Sequence, residues 1–586
     1  MAGRTSIHVE RDVPVPMRDG TILRADIYRP EAATRTAALL MRTPYGKAPS
    51  VSVVEGDPLR LAEAGYAVVE QDTRGRFASA GTFAPFRDEG LDGYDTVEWV
   101  ASQPWCSGQV GMFGSSYLGA TQWLAATEAP PHLTAINPQI TAADYHEGWI
   151  YQGGAFALGF ALSWSLMLAG ETIARDASRG AIPADGGALA AYHSAFDDFL
   201  SGCAHLPLST CPSLLGERLA PYYYDWLEHP ADDAYWRKWS IERRHGAVTV
   251  PALHLGGWHD IFLGGTLRNF VGMKRNGGSP RARAGQRLIV GPWAHTLPLY
   301  ASMVGEVDYG IRAAGAAVDT DGEMIRWHDR WTRNIENGAD RDAPVRLFIM
   351  GENTWRDEQD WPLARAEEIP FFFHSRGRSN SLRGDGRLSP ERPGNEPPDS
   401  FLYDPQDPVP SRGGGLCCVD QIRGGAYDQR AIEERRDVLV YSTDPLEEPL
   451  EVTGPVRVVL FASSSAVDTD FTAKLVDVAP SGFARNLTDS IVRARYREDR
   501  AVEKLLAPGE VVELTIDLVA TANFFKRGHA IRVEVSSSNF PRFDRNPNTG
   551  HAFGRDAETA TAAQTVFHDA RHPSHIVLPV VRKPGT

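Results

Sequence analysis

From His8 to Pro30 ("HVERDVPVPMRDGTILRADIYRP") apolar and polar positions alternate on either side of Asp19-Gly20. That pattern predicts two strands joined by a hairpin. Two short apolar runs follow, "AALLMRTPYG", broken by Pro44, and "YAVVEQDTRG", broken by Gly75. In "LDGYDTVEWVASQ" the period changes, and Tyr94, Val97, Trp99 and Val100 gather on one side of a helix. The next run, "QVGMFGSS", is again short and apolar. Strand, loop, helix and strand in series imply a parallel sheet with crossover helices.

Around Asp144 the strand runs stop. Residues 144–240 hold Ala-rich helical stretches and many aromatics, among them Tyr222-Tyr223-Tyr224 and Trp226, and read as a helical insertion. Buried strand runs return in "TVPALHLGGWHD", "QRLIVGPWAH" and "VRLFIMGENTW". The expected α/β unit therefore spans 1–143 and 241–352. Beyond it, 353–586 is almost free of helical pattern. Runs such as "LEVTGPVRVVLFASSS" and "EVVELTIDLVATANFF" are separated by Pro, Gly, Asn and Asp, as in a β-sandwich or jelly roll. The polar stretch "SRGRSNSLRGDGRLSPERPGNEPPDS" reads as a surface loop.

Composition narrows the function classes. The chain has 586 residues, 42% hydrophobic and 23% charged, enough for several cores. A formal net charge of −15 argues against a nucleic-acid or anionic-membrane partner, both of which need clustered cations. The opening residues carry no apolar core of signal-peptide length, and no run is long enough to span a bilayer. The cysteines, at 106, 203, 211, 417 and 418, are odd in number and unpatterned. A reduced cytoplasmic setting is expected, with Cys417 and Cys418 as buried small apolar residues rather than a reactive pair.

The candidate chemistry lies in "VGMFGSSYLGATQW", residues 110–123. An apolar strand enters a bend of small residues and leaves as a helix, the setting in which a serine hydroxyl projects over a helix N-terminus. Ser116 fits better than Ser115, because Gly114 lies two residues before it, whereas Ser115 would put Phe113 in that crowded position. The pattern departs from G-x-S-x-G, since Leu118 stands two after Ser116 and the glycine is Gly119. A serine needs a base, and the base an orienting acid, on loops after later strands. Asp260 ends one buried run and His295 the next, with room for a helix between them. His254 lies within its strand and reads as a core histidine. His259, beside Asp260, is expected to point elsewhere. His254, His259 and Asp260 lack metal-ligand spacing, so neither a metal nor a cofactor is expected. The Tyr117 N–H is a natural oxyanion donor, and Tyr45 is either the second donor or a packing corner after Pro44.

Together, "GMFGSSYLGATQW", "RTPYGK", "VEQDTRGRFASAGTF", "GWHDIFLGGTLRNF", "LIVGPWAH" and "SSSNFPRFDRNPNTG" resemble the family of cocaine esterase and X-Pro dipeptidyl-peptidase-like serine hydrolases. The resemblance extends over nearly the whole chain. It implies an α/β-hydrolase domain with an inserted helical cap and a C-terminal jelly roll. The family's elbow reads Gly-x-Ser-Tyr-x-Gly, which Gly114, Ser116, Tyr117 and Gly119 match. The resemblance further implies Ser116 as nucleophile, His295 as base, Asp260 as its partner, and an oxyanion hole of the Tyr45 hydroxyl and the Tyr117 N–H. Amino-acid ester hydrolases of this kind carry an acidic pair just after the triad aspartate, whereas Asp260 is followed by "IFLGG".

The substrate is expected to be a small ester with an apolar or aromatic acyl group. Trp149, Trp164, Phe262, Cys417 and Cys418 are candidates for its pocket, although more than half of the cap aromatics Trp149, Tyr151, Phe156, Phe160 and Trp164 are expected to pack the cap. Amide or X-Pro dipeptide cleavage by the same triad is the alternative. A carbohydrate-binding jelly roll attached to a vestigial hydrolase is the non-enzymatic one. A homodimer is compatible with the sequence.

Overall fold

The structure is a computed structural model that describes residues 6–31, 35–47, 56–183, 186–214, 219–295 and 302–582. Among them, ten strands make the first sheet: β1 (Ile7–Pro16), β2 (Ile22–Pro30), β3 (Thr36–Thr43), β4 (Ala67–Asp72), β5 (Cys106–Ser115), β6 (Leu133–Gln139), β7 (Ala252–His259), β8 (Gln286–Ala294), β9 (Val345–Ile349) and β10 (Thr354–Glu358). Their order is β1-β2-β4-β3-β5-β6-β7-β8-β9-β10. From β4 through β9 every neighbouring pair is parallel, and the hairpins β1–β2 and β9–β10 flank that core. Parallel strands covered on both faces need side chains that bury on both sides. Accordingly β4, β7 and the second half of β5 are buried at every position. The sheet runs to Glu358, so a division of the chain at 352 falls between its last two strands.

Helix α1 (Glu89–Ser102) and helix α2 (Tyr117–Thr127) cross over this sheet, and α2 is buried along its whole length. The segment between β6 and β7 is mostly helical, with one two-residue hairpin pairing Tyr151–Gln152 with Ala155–Phe156. Its longest element is α3 (Leu158–Ser178), which has no β-branched residue before Thr172. Leu158–Leu166 is buried all round, and only beyond it does α3 turn one side to solvent. No helix of the described residues is long and apolar enough to cross a membrane.

The C-terminal part is all-β apart from single helical turns. Eleven strands between Ala366 and Val581 form one mostly antiparallel sheet, with Leu450–Ser464 and Val512–Phe525 as its longest pair. Its core is continuous with the first sheet: Trp258, Phe270 and Leu347 pack in one cluster with Val452, Leu518 and Ile576. The Trp258 indole N–H donates to the Phe348 carbonyl at 2.7 Å. One loop of this part reaches back toward the cap. Leu416, Cys417 and Ile422 belong to the same cluster as Trp149, Phe160 and Phe262.

Candidate active site

Ser116 stands between β5 and α2 with φ 56° and ψ −121°, a backbone conformation that L residues rarely adopt. The bend is held from below, with the Ser116 N–H on the Gln139 carbonyl at 2.9 Å and the Ser116 carbonyl accepting from the Gly119 and Ala120 N–H groups at 3.0 Å. Both flanking glycines are required by space. Gly114 has φ 127°, and a Cβ there would lie 2.7 Å from the Leu118 Cβ. A Cβ at Gly119 would lie 2.9 Å from the Thr141 Cβ. The helix that starts at Tyr117 leaves its first N–H groups without intrahelical partners, pointing toward the serine end.

Asp260 and His295 follow β7 and β8. These strands are parallel neighbours in register from Gln286↔Ala252 to Gly291↔Gly257, with Ala294 paired to His259 beyond an irregularity. Residues 35 apart in sequence therefore leave the same edge side by side. His295 Nδ1 lies 2.8 Å from Asp260 Oδ1, and His295 Nε2 lies 3.0 Å from Ser116 Oγ. The Asp260 side chain is fully buried and that of His295 is 11% exposed. The bond from Nδ1 to buried Asp260 holds the imidazole with Nε2 toward Ser116 Oγ.

The other histidines near this edge are engaged elsewhere. His259 Nε2 meets the Tyr309 hydroxyl at 3.1 Å, and burial, reinforced by the Arg485 charge, pushes its imidazole down to about 3. His254 Nε2 meets Gln286 Oε1 at 2.7 Å, its ring lies 5.6 Å from that of Trp123, and burial lowers it to about 4. His254, His259 and Asp260 thus face three different partners and do not converge on one point.

The Tyr117 side chain is engaged away from the serine. Its phenol donates to Glu89 Oε1 at 3.0 Å and accepts from the Phe86 N–H at 3.0 Å, and burial raises it well above the usual range. Tyr45 follows β3, the strand beside β5. Its N–H rests on Thr43 Oγ1 at 3.0 Å, and its phenolic oxygen accepts from the Trp164 Nε1–H at 2.8 Å. Arg76, which lies in the "VEQDTRGRFASAGTF" stretch without an expected role there, clamps this corner. It donates from Nε to the Pro44 carbonyl at 2.9 Å and pairs with Glu171 of α3 at 3.0 Å.

The pocket candidates divide in two. Trp149 and Trp164 are 1% exposed and Phe262 is 0% exposed, so they present almost no open surface. Trp149 stacks on Phe262 with ring centroids 4.2 Å apart, and Phe262 meets the His295 ring edge-on at 5.0 Å. Cys417 and Cys418, by contrast, line an open cleft of about 630 Å³ that also contains His295, Leu416 and Ile422. The loop of Cys417 and Cys418 is expected at the pocket from the sequence, but its neighbours Leu416 and Ile422 are not among the expected lining residues. The expectation of two separate apolar thiols is corrected here: Cys417 and Cys418 form a disulfide with each other. Adjacent residues need no fold to bring them together, so spacing rules for distant cysteines miss such a pair. Cys106, Cys203 and Cys211 are free and buried.

A parallel sheet with crossover helices, a strained serine at its C-terminal edge and a histidine within reach of that serine define a serine hydrolase of the α/β-hydrolase type. Residues 19–297 match the X-Pro dipeptidyl-peptidase (S15 family), and residues 337–577 match the X-Pro dipeptidyl-peptidase C-terminal non-catalytic domain. The chain is 44% identical to cocaine esterase of Rhodococcus sp. (strain MB1 Bresler) over 585 residues, covering 98% of this chain and 99% of that one. Among solved structures, an aminopeptidase from a marine sediment Thaumarchaeota archaeon superposes with a TM-score of 0.82 at 25% identity, covering 99% of this chain and 97% of that one. An α-amino acid ester hydrolase superposes with a TM-score of 0.79 at 25% identity, covering 98% and 97%. The chain belongs to the family of cocaine esterase and X-Pro dipeptidyl-peptidase-like serine hydrolases.

Proposed function

We propose that this enzyme cleaves small carboxylic esters with apolar or aromatic acyl groups through an acyl-enzyme on Ser116. The observation that carries the reading is the unbroken series Ser116 Oγ, His295 and Asp260, with links of 3.0 and 2.8 Å. In the first half-reaction Oγ attacks the ester carbonyl carbon as its proton moves to His295 Nε2. Asp260 stabilises the imidazolium without taking a proton itself. The carbonyl oxygen becomes an oxyanion, which the Tyr117 N–H and the Tyr45 hydroxyl receive. Collapse breaks the bond to the alcohol oxygen, which leaves with the proton from Nε2. Water then repeats the sequence on the acyl-enzyme, releasing the acid and restoring Ser116.

The apolar acyl preference is supported by Leu416, Ile422 and the Cys417–Cys418 pair, which line the cleft beside His295 together with the polar side chains of Asp420, Arg423 and Tyr427. Phe262 adds an aromatic edge at the imidazole. Ser116→Ala should abolish both ester turnover and covalent labelling by a fluorophosphonate probe, while Ser115→Ala keeps both. Loss of labelling in Ser115→Ala with retention in Ser116→Ala would overturn the assignment.

A further inference from the structure

The bond between Trp164 and Tyr45 joins the cap to the sheet at the place where the oxyanion would form. The indole Nε1–H has no acceptor capacity, so in this 2.8 Å contact the Tyr45 oxygen must be the acceptor. The phenol has a single proton, and that proton cannot point at the indole. One lone pair is thereby occupied and the O–H is turned away from the indole. Donation into a hydroxyl oxygen also strengthens that hydroxyl as a donor. Trp164 itself cannot turn. It is 1% exposed, with Tyr117, Trp149, Phe160 and Trp226 ring centroids 5.6 to 6.0 Å from its own. It projects from the part of α3 that is buried all round, so the cap has to be seated for the contact to exist.

We infer that Trp164 is a positioning residue of the oxyanion hole: its indole N–H sets the direction in which the Tyr45 hydroxyl donates. This rests on the reading of Tyr45 as an oxyanion donor given above. A tryptophan that merely walled the acyl pocket would act on substrate binding. A tryptophan that aims a donor acts on the transition state and acts only through Tyr45.

A double-substitution cycle separates these roles. Trp164→Phe keeps an aromatic face and removes the N–H. It should lower kcat about tenfold, the scale of one hydrogen bond, with KM nearly unchanged. Affinity for phenylboronic acid, whose tetrahedral serine adduct places an oxygen in the hole, should fall by a similar factor. In a Tyr45→Phe background the same substitution should have no further effect on kcat. Placing 3-benzothienylalanine at position 164 alone repeats the test with nearly the indole shape, so a poorly folded Trp164→Phe does not end it. An equal loss in both backgrounds, or an unchanged kcat with a raised KM, would overturn the inference while leaving the Tyr45 reading intact. Wild-type kcat in Tyr45→Phe would remove the Tyr45 reading and the inference together.

Discussion

On one side of Ser116 stand His295 and Asp260, each just past the end of a parallel strand and tied by hydrogen bonds of 2.8 and 3.0 Å. A second wall is built from Trp149, Trp164 and Phe262 from two separate segments, with Leu416, Ile422 and the Cys417–Cys418 pair from a third, held together by ring and apolar contact and reaching the His295 ring at Phe262. The first wall is set by the pleat and register of the sheet, which leave its groups little freedom to move. The second depends on how the cap and a loop of the C-terminal domain settle on the sheet. Chemistry shared across a family suits the first wall. Substrate preference, which must differ between an esterase and an aminopeptidase, suits the second. Damage should accordingly be large and confined to kcat on the sheet side, and smaller and substrate-dependent on the cap side.

The largest effect is expected at His295. His295→Ala should reduce kcat by about 10⁴-fold or more, since the base and the nucleophile act as one unit. His259→Gln, one residue from Asp260, should keep wild-type kcat, because its ring faces Tyr309 and not the cleft. Steady-state kinetics on a chromogenic ester decides it. An inactive His259→Gln beside an active His295→Ala would mean that the two strand ends have exchanged roles.

Tyr45 sits where the walls meet. Tyr45→Phe keeps the ring against the core but removes the hydroxyl. The expected cost is about 10²–10³ in kcat, or ~2.7–4 kcal/mol, with little change in KM. A loss confined to KM would move Tyr45 to the substrate-binding wall.

These two walls were unequally legible in the sequence. Gly114, Ser116 and Gly119 are close in the chain, and each is constrained by local sterics, so the bend could be read from a few residues. Asp260 and His295 could be found because each terminates a buried run, and parallel strands end at the same edge. Strand and helix periods likewise pointed to the α/β sheet, the helical insertion and the all-β region. The bond from Trp164 to Tyr45 spans 119 residues and the Arg76–Glu171 pair spans 95, and neither has a local pattern. The contribution of Leu416 and Ile422 depends on a loop of one domain reaching the cap of another. The disulfide between Cys417 and Cys418 has no separation for spacing arguments to read. The hairpin β9–β10 crosses residue 352 because Thr354–Glu358 is a short edge strand with Trp355 as its one apolar residue, so it carries no strand pattern of its own.

On the cap side, p-nitrophenyl acyl esters with apolar or aromatic acyl groups should exceed Gly-Pro and Ala-Pro p-nitroanilides by at least ~10² in kcat/KM, or about 2.7 kcal/mol. An X-Pro dipeptide brings a free α-ammonium, and burying a cation without a carboxylate partner is costly. The residues directly after Asp260 are Ile261, Phe262 and Leu263, with no acid among them. Equal or faster anilide hydrolysis on one enzyme preparation would assign this wall to peptide recognition.

The smallest effect concerns stability and contrasts His259 once more with Asp260 beside it. Burial holds His259 at about 3 and His254 at about 4, against an unfolded value of 6.5. Both folded values are depressed, so between pH 6.5 and about 4 the unfolded chain binds protons that the folded chain refuses. Stability from these two groups is therefore complete above pH 6.5 and falls as the pH drops below it. At pH 5.5, one unit below the unfolded value, each should have cost about 1.4 kcal/mol. Glutamine at 259 does not titrate, and its amide can still accept from or donate to the Tyr309 hydroxyl. In urea titrations of parent and variant at pH 7.5 and 5.5, His259→Gln should lose about 1.4 kcal/mol less than the parent between the two conditions, with kcat unchanged at pH 7.5. An identical acid loss in the variant would mean that His259 is already protonated in the folded protein, and the buried, neutral half of the contrast would fail.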